Sequence, residues 1–312
     1  MMRLLVTAIS GNVATGVLHS LSEYEYHLFG CDVGKYPAGI DLVEDFFCVP
    51  YAQDKKYIPE LILACKARQI QAILPTNETE LAILDKQRAK FAEADIKLIM
   101  NDSYILNTCL DKYICIQELK KLGIDVPQTY FTKDLPDGFG DYILKPRSGC
   151  GSKFLKRANN ADEVRQIEEE FGKSLIIQEY LPDEAGEYTM GVFSDGKMTR
   201  CIIFQRELTH GYTSFVKLVH DEAMESIGET IAKSWHLCGS INIQMRQKNG
   251  KAYVFEINPR LSGTTHFRSL VGFNDAYWWC RMAFGQSIPR YKSKFKEAIG
   301  VRMMDEKIIS VQ

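Results

Sequence analysis

Phe255-Glu256-Ile257-Asn258-Pro259-Arg260 is the stretch on which the reading of this 312-residue chain turns. It closes a run of alternating residues. Successive side chains of a strand point to opposite faces, so Glu256 and Asn258 share one face while Phe255 and Ile257 take the other. Just upstream stands Asn249-Gly250, a dipeptide favoured where two antiparallel strands turn back through positive φ. The strands it joins are predicted over 240–247 and 251–257. On the first of these, Asn242 and Gln244 share a face between Ile241, Ile243 and Met245. One antiparallel pair can therefore bring a carboxylate and two amide oxygens together. Hard oxygen donors suit Mg²⁺, which keeps waters and bridges nucleotide phosphates. Arg260 follows at once, suited to neutralising a transferring phosphate, and Leu261-Ser262-Gly263-Thr264 continues the loop. The plain alternative is the solvated polar face of a sheet.

A second cationic segment lies a hundred residues earlier. Ile143-Leu144-Lys145-Pro146 reads as a strand ending in a lysine, with the proline holding the residue before it extended. Arg147-Ser148-Gly149-Cys150-Gly151-Ser152-Lys153 then leads into Phe154. Two glycines let backbone N–H groups converge on an anion without side chains in the way. A lysine ammonium ~3 Å from a phosphate oxygen gains ~5 kcal/mol at an effective dielectric of ~20, before desolvation. The alternative here is a surface hairpin with solvated charges. The first glycine loop is a weaker signal. Gly11 and Gly16 lack the middle glycine of a dinucleotide fingerprint, and Val17 and Leu18 stand where a Walker loop needs Lys and Ser/Thr. That loop reads as a tight strand-to-helix turn.

Around these segments the first hundred residues alternate strands (4–8, 26–31, 72–74, 97–100) with helical patterns (13–21, 78–92). Such alternation implies a parallel sheet covered on both faces. After about residue 104 the pattern changes. A helix over 110–122 stops at Gly123. Strands over 128–132, 142–145 and 154–156 follow, then a charged helix over 162–171 and a strand over 175–178. Beyond Pro182 come strands 187–194 and 198–206 joined at Asp195-Gly196, a helix over 221–236, and a mostly helical remainder up to 298–304. The expected fold class is thus an α/β domain with a doubly wound parallel sheet, followed by an α+β region of two antiparallel layers.

Composition narrows the partners. The chain is 46% hydrophobic and 25% charged, with a net charge of −2. Near-neutrality argues against broad binding to nucleic acid or an anionic membrane. No apolar run reaches about 18 residues, so no transmembrane helix is expected. Nine scattered cysteines without a Cys-x-x-Cys pair, and an opening stretch too short for a signal-peptide core, imply reduced thiols and a cytoplasmic setting.

Together these segments resemble the ATP-grasp superfamily, most closely its carbamoyl-phosphate-synthase-like branch, over nearly the whole chain. The resemblance implies an N-terminal α/β pre-ATP-grasp domain over 1–104. An ATP-grasp small subdomain with the glycine-rich loop would cover 105–181, and a large subdomain with the metal site 182–312. It also implies that Lys112, in Asp111-Lys112-Tyr113, and Lys145 hold the nucleotide phosphates with Gly149, Gly151 and Ser152. Gln178, Glu179, Tyr180 and Leu181 would form the hinge strand whose backbone reads adenine, Glu179 taking the ribose hydroxyls. Glu187 would stand near the ribose or metal edge, and His210 in a loop approaching the phosphates. Gln244, Glu256 and Asn258 would hold the metal; Arg260 and Lys145 would act in catalysis.

The cofactors implied are ATP and Mg²⁺, with Mn²⁺ as the alternative ion. The partners implied are a small-molecule carboxylate and an amine, with no nucleic acid and no membrane, and a homodimer is the class expectation. The implied activity is ligation: a carboxylate becomes an acyl phosphate, ADP is released, and an amine displaces phosphate. The alternatives are an enzyme that stops at the acyl phosphate or carboxyphosphate, and a catalytically silent ATP-binding regulator. Two departures stand out. Gln244 occupies a position where many members carry aspartate, although the carbamoyl-phosphate-like branch resembles this chain there. The chain is also too short for the paired ATP sites of the large synthase. For the acceptor, Thr76, Asn77 and Glu78 lie at the carboxyl end of a predicted parallel strand, where such sheets bind ligands. Glu78 is a candidate for holding an amine, while a helix cap at Thr76 or Asn77 explains the run equally well. Ser262, Thr264 and Arg268 are the alternative carboxylate binders.

Overall fold

The computed structural model describes residues 1–135, 140–149, 155–171, 175–182 and 186–303. Cys150, Gly151, Ser152, Lys153 and Phe154 lie outside the described residues.

The chain opens with β1 (Met2–Thr7), α1 (Asn12–Leu21), β2 (Tyr26–Asp32), β3 (Asp45–Cys48) and α2 (Tyr57–Ala67). It continues with β4 (Ala72–Leu74), α3 (Glu78–Asp85), α4 (Arg88–Glu93) and β5 (Lys97–Leu98). These five strands form one parallel sheet in the order β3-β2-β1-β4-β5. Leu4, Leu5 and Val6 are fully buried, as a strand covered on both faces requires. The order reverses at β1, so the loops after β1 and β4 diverge and leave a crevice at the carboxyl ends of these strands. The predicted helix over 78–92 is in fact two, parted at Lys86 and Gln87. The sequence reading missed β3 and α2, although Tyr57, Ile58, Leu61 and Cys65 line one buried face of α2 at helical spacing.

Next come α5 (Ser103–Leu110), also unforeseen, α6 (Lys112–Lys121), β6 (Thr129–Phe131), β7 (Tyr142–Pro146), β8 (Lys156–Ala158), α7 (Ala161–Phe171) and β9 (Leu175–Glu179). The four strands pair antiparallel in the order β6-β9-β7-β8. The last part holds β10 (Glu187–Asp195), β11 (Thr199–Thr209), β12 (Tyr212–Val219), α8 (Glu222–Ser234), β13 (Cys238–Lys248), β14 (Lys251–Asn258), α9 (Thr265–Leu270), α10 (Asp275–Ala283) and β15 (Ile299–Val301). Its six strands form an antiparallel sheet ordered β14-β13-β10-β11-β12-β15. The β13–β14 turn has φ of 51° at Asn249 and 75° at Gly250, the paired left-handed conformation that a two-residue hairpin demands. His210 and Gly211 do the same, at 51° and 80°. The loop expected at His210 is thus the hairpin turn into β12.

Two apolar layers cover the six-stranded sheet. On one side Met190, Val192, Ile241, Ile243 and Ile257 pack with α5, α6 and α8. On the other, Phe193, Phe204 and Val216 meet Val17, Leu18 and Leu21 of α1 and the pair Trp278–Trp279. That second cluster joins the large sheet to the parallel sheet and holds the β1 and β4 loops against it. Among the described residues, no helix is long and apolar enough to cross a membrane, and the cysteines are all free.

Candidate active site

A cleft of about 550 Å³ opens where the three sheets meet, a size usual for small-molecule sites. Its floor is the β13–β14 hairpin. Gln244 pairs with Glu256 and Asn242 with Asn258. Gln244, Glu256 and Asn258 border the cleft. Asn242 does not. It is fully buried, and its Oδ1 accepts a hydrogen bond from Thr189 Oγ1 at 3.0 Å, so only one of the two β13 amides reaches the site. The strict alternation expected along β14 also fails. The register slips between Gln244 and Met245, and Met245 pairs with Val254. Phe255 is the extra residue of a bulge. It borders the cleft beside Glu256 instead of facing away.

Lys145, near the end of β7, meets this bulge. It is only 5% exposed. Its Nζ donates to the Phe255 carbonyl at 3.3 Å and lies 5.7 Å from the centre of the Phe255 ring. Among the described residues no carboxylate lies within ion-pair distance of it. Burial therefore pushes its pKa down from 10.5 to about 8; Glu256 opposes the shift and Lys112 adds to it. Lys112 opens α6, where Asp111 caps the helix by accepting from the Tyr113 and Ile114 N–H groups. Asp111 also binds Arg147 at 2.7 Å. Lys112 Nζ donates to the Gly149 carbonyl and lies 3.7 Å from Glu256 Oε1. Gly149 has φ of 107°, a conformation that side chains disfavour. The two lysines, Gly149 and Glu256 thus converge from three separate elements.

The hinge residues divide. Gln178, Glu179 and Leu181 border the cleft. The Gln178 side chain is buried and donates to Thr129 Oγ1 at 3.0 Å. The Leu181 carbonyl accepts from Arg246 Nη1 at 2.8 Å. Glu179 accepts from Lys248 Nζ and, at 3.1 Å, from the Gln128 N–H. Tyr180 is not among the lining residues; its N–H donates to the Asp141 carbonyl, and the Arg157 guanidinium lies 4.2 Å from its ring centre.

Glu187 is not a bare carboxylate either. Oε1 accepts from Arg206 Nη2 at 2.6 Å, and Oε2 from Arg246 Nη2 at 2.9 Å. Both arginines border the cleft and the sequence reading missed them. They stand directly opposite Glu187 on the two flanking strands, a relation visible only once the pairing is known. His210 sits at the cleft mouth, exposed, in the β11–β12 turn.

Arg260 faces the amino-terminal sheet. Nη2 donates to Glu78 Oε1 at 2.7 Å and to Asn258 Oδ1 at 3.3 Å, and Nη1 to the Leu261 carbonyl at 3.0 Å. Glu78, the candidate for holding an amine, has its Oε1 in this ion pair with Arg260. Asn77 is the cap of α3, accepting from the Thr79 N–H at 2.8 Å. Ser262 borders the cleft. Arg268 cannot bind a substrate carboxylate: it is wholly buried, 3.3 Å from Asp275, with its guanidinium packed over Gly191. Ala8, Gly11, Asn12 and Val13 of the first loop form a further wall, so the tight turn after β1 also borders the site.

Of the four cleft glutamates, Glu78, Glu179 and Glu187 are held by hydrogen-bonded cations, and among the described residues Glu256 has only Lys112, at 3.7 Å. One carboxylate without a hydrogen-bonded cation among the described residues, with two amide oxygens, is a donor set for a divalent ion that brings phosphate oxygens of its own. No group of three or more His, Cys, Asp or Glu able to cage a metal occurs among the described residues.

A buried lysine thus meets the oxygen-donor hairpin in a cleft between β layers. A sequence model described as an ATP-grasp domain matches residues 109–264, half of the chain, and the chain belongs to that family. A PylC-like N-terminal domain matches residues 12–99. Among curated proteins, an uncharacterized protein of Methanocaldococcus jannaschii is 28% identical over 176 residues, covering 54% of this chain and 44% of that protein. The carbamoyl phosphate synthase large chain of Caldanaerobacter subterraneus subsp. tengcongensis is 26% identical over 208 residues, covering 55% of this chain and 19% of that one. The chain thus spans less than half the length of these curated relatives. N5-carboxyaminoimidazole synthetase from Staphylococcus aureus, solved with ADP, shares the fold at a TM-score of 0.76 and 16% identity, over 97% of this chain and 82% of that one.

Proposed function

We propose that this protein is an ATP-dependent carboxylate–amine ligase that releases ADP. The observation that carries the reading is the meeting of Lys145 and Lys112 with Glu256 in one cleft. In this reading the lysines hold a polyphosphate and the backbone of Glu179–Leu181 borders the adenine. Mg²⁺ held by Gln244, Glu256 and Asn258 would supply charge neutralisation at the phosphate oxygens.

A carboxylate is a poor acylating agent because its leaving group would be oxide. The reaction is therefore divided. A carboxylate oxygen attacks the γ-phosphorus and the bond to ADP breaks. The amine nitrogen then attacks the acyl carbon, and phosphate leaves with the C–O electron pair. Arg260 would stabilise the charge on the transferred phosphoryl group. Positioning of the two reactants can supply ~7–11 kcal/mol, and enclosure keeps water from the acyl phosphate. No protein nucleophile takes part.

The test is an ADP-release screen of carboxylates crossed with amino acids, with mass spectrometry of the product. ADP release that needs both an acid and an amine is expected. Full-rate release with acid alone would indicate an acyl-phosphate-forming enzyme. ADP-dependent thermal stabilisation without any turnover would indicate a silent regulator.

Nucleotide affinity should also depend on pH. Lys145 is charged below about 8 and neutral above it in the free protein. A polyphosphate binds the charged form, so affinity should be highest below about pH 8 and fall as pH rises through it. Calorimetric titration of ADP between pH 6.5 and 9.5 checks this; a flat profile would remove Lys145 from the phosphate contacts.

A further inference from the structure

We propose that Glu78 is a positioning residue that holds Arg260 in place from the neighbouring parallel sheet, so that the amino-terminal unit takes part in phosphoryl transfer without touching the nucleotide. The inference rests on the ligase reading of this cleft.

The anchorage of Glu78 is unusually complete. At the end of β1, the Thr7 carbonyl accepts from Thr76 Oγ1 at 2.8 Å, tying the β4 loop to the sheet. Asn77 caps α3, whose first residue is Glu78. Two residues on, Glu80 accepts from Thr7 Oγ1 at 2.6 Å and from the Tyr57 hydroxyl at 2.7 Å. The start of α3 is therefore bolted to the carboxyl end of the parallel sheet on both sides of Glu78. Glu78 itself is only 8% exposed.

Arg260 has no such support of its own. Its remaining acceptors, Asn258 Oδ1 and the Leu261 carbonyl, are neutral and belong to its own loop. Its Nε is buried without a partner. Among the described residues Glu78 is the one acidic group within ion-pair distance, reached across 182 positions of sequence. A charge-assisted hydrogen bond is about twice as strong as a neutral one. The single contact between Glu78 Oε1 and Nη2 therefore decides where the guanidinium sits, while other N–H groups stay unclaimed by any carboxylate.

The experiment compares Glu78→Gln, Glu78→Asp, Arg260→Lys and the double variant Glu78→Gln/Arg260→Lys in the full chain. It reads kcat, the KM for the amine, ADP release with acid alone, and the ADP-dependent thermal shift. A misplacement of about 1 Å near the chemistry costs about 10²-fold in rate. Glu78→Gln is expected to lower kcat by about 10- to 100-fold, and the acid-alone rate equally, with the amine KM and the ADP shift unchanged. Glu78→Asp, which keeps the charge, should be faster than Glu78→Gln. The double variant should be no slower than Arg260→Lys, because residues that act through one contact are not additive.

Four outcomes overturn the proposal alone: wild-type kcat in Glu78→Gln, a raised amine KM at unchanged kcat, Glu78→Asp no faster than Glu78→Gln, or additive losses in the double variant. Should Glu78→Gln fail to fold, the Arg260→Lys background compared with and without Glu78→Asp decides, additivity again overturning the coupling. A wild-type protein that releases no ADP with any acid–amine pair overturns the ligase reading, and the positioning role with it.

Discussion

Glu256→Ala is expected to lower ADP release by about 10²–10³-fold, the range seen when one preorganised charge stabiliser is removed, while ADP still raises the melting temperature. Among the described residues, Glu256 is the cleft glutamate whose carboxylate no cation holds by a hydrogen bond; Lys112 lies 3.7 Å away. Without it, the hairpin offers only the amide oxygens of Gln244 and Asn258, neutral donors that hold a divalent ion weakly. Binding of the nucleotide should survive for the opposite reason. Glu256 lies 3.7 Å from Lys112 and acts on Lys145 from beyond ion-pair distance, so removing it takes away a negative charge that repels the phosphates. A Mg²⁺ titration of turnover and a thermal shift with ADP separate the two effects. Unchanged turnover would dismiss the metal assignment, and loss of the ADP shift would show that Glu256 serves binding instead.

Lys145→Ala should act in reverse, abolishing the ADP-dependent thermal shift. A buried ammonium contacting phosphate gains ~5 kcal/mol at ~3 Å and a dielectric of ~20, before desolvation. In the free protein its Nζ meets a backbone carbonyl and an aromatic face in place of a carboxylate, so it has already lost much of its hydration. The variant without ligand should accordingly melt no lower than the wild type, since it discards a buried cation whose charged form burial disfavours. A variant that keeps its full response to ADP would refute the assignment. One that melts far lower without ligand would make Lys145 a structural residue.

How much of this was legible can be followed residue by residue. The strand pair and its turn at Asn249-Gly250 were readable, but that turn alone would set Gln244 opposite Phe255; the Gln244–Glu256 and Asn242–Asn258 pairs need the bulge. The bulge at Phe255 was not readable, since nothing in Val254-Phe255-Glu256 marks an extra residue. Its effect was large: it turned the Phe255 carbonyl into the resting partner of Lys145. The α2 helix had a visible apolar stripe and went unread. The β12 strand was masked by reading His210-Gly211 as a loop in place of a hairpin turn.

By itself the sequence determined the class of each layer and the hairpin with its turn at Asn249-Gly250. These follow from side-chain alternation, apolar periodicity and turn dipeptides, all of which act over a few residues, whereas Lys112 was singled out only by the family resemblance. Only the tertiary structure decided which carboxylates stay available. Glu78, Glu179 and Glu187 look as free in the sequence as Glu256, yet cations 182, 69, 19 and 59 positions away hold them. Buried charge must be matched wherever packing brings an opposite charge near, and that matching depends on which strands become neighbours.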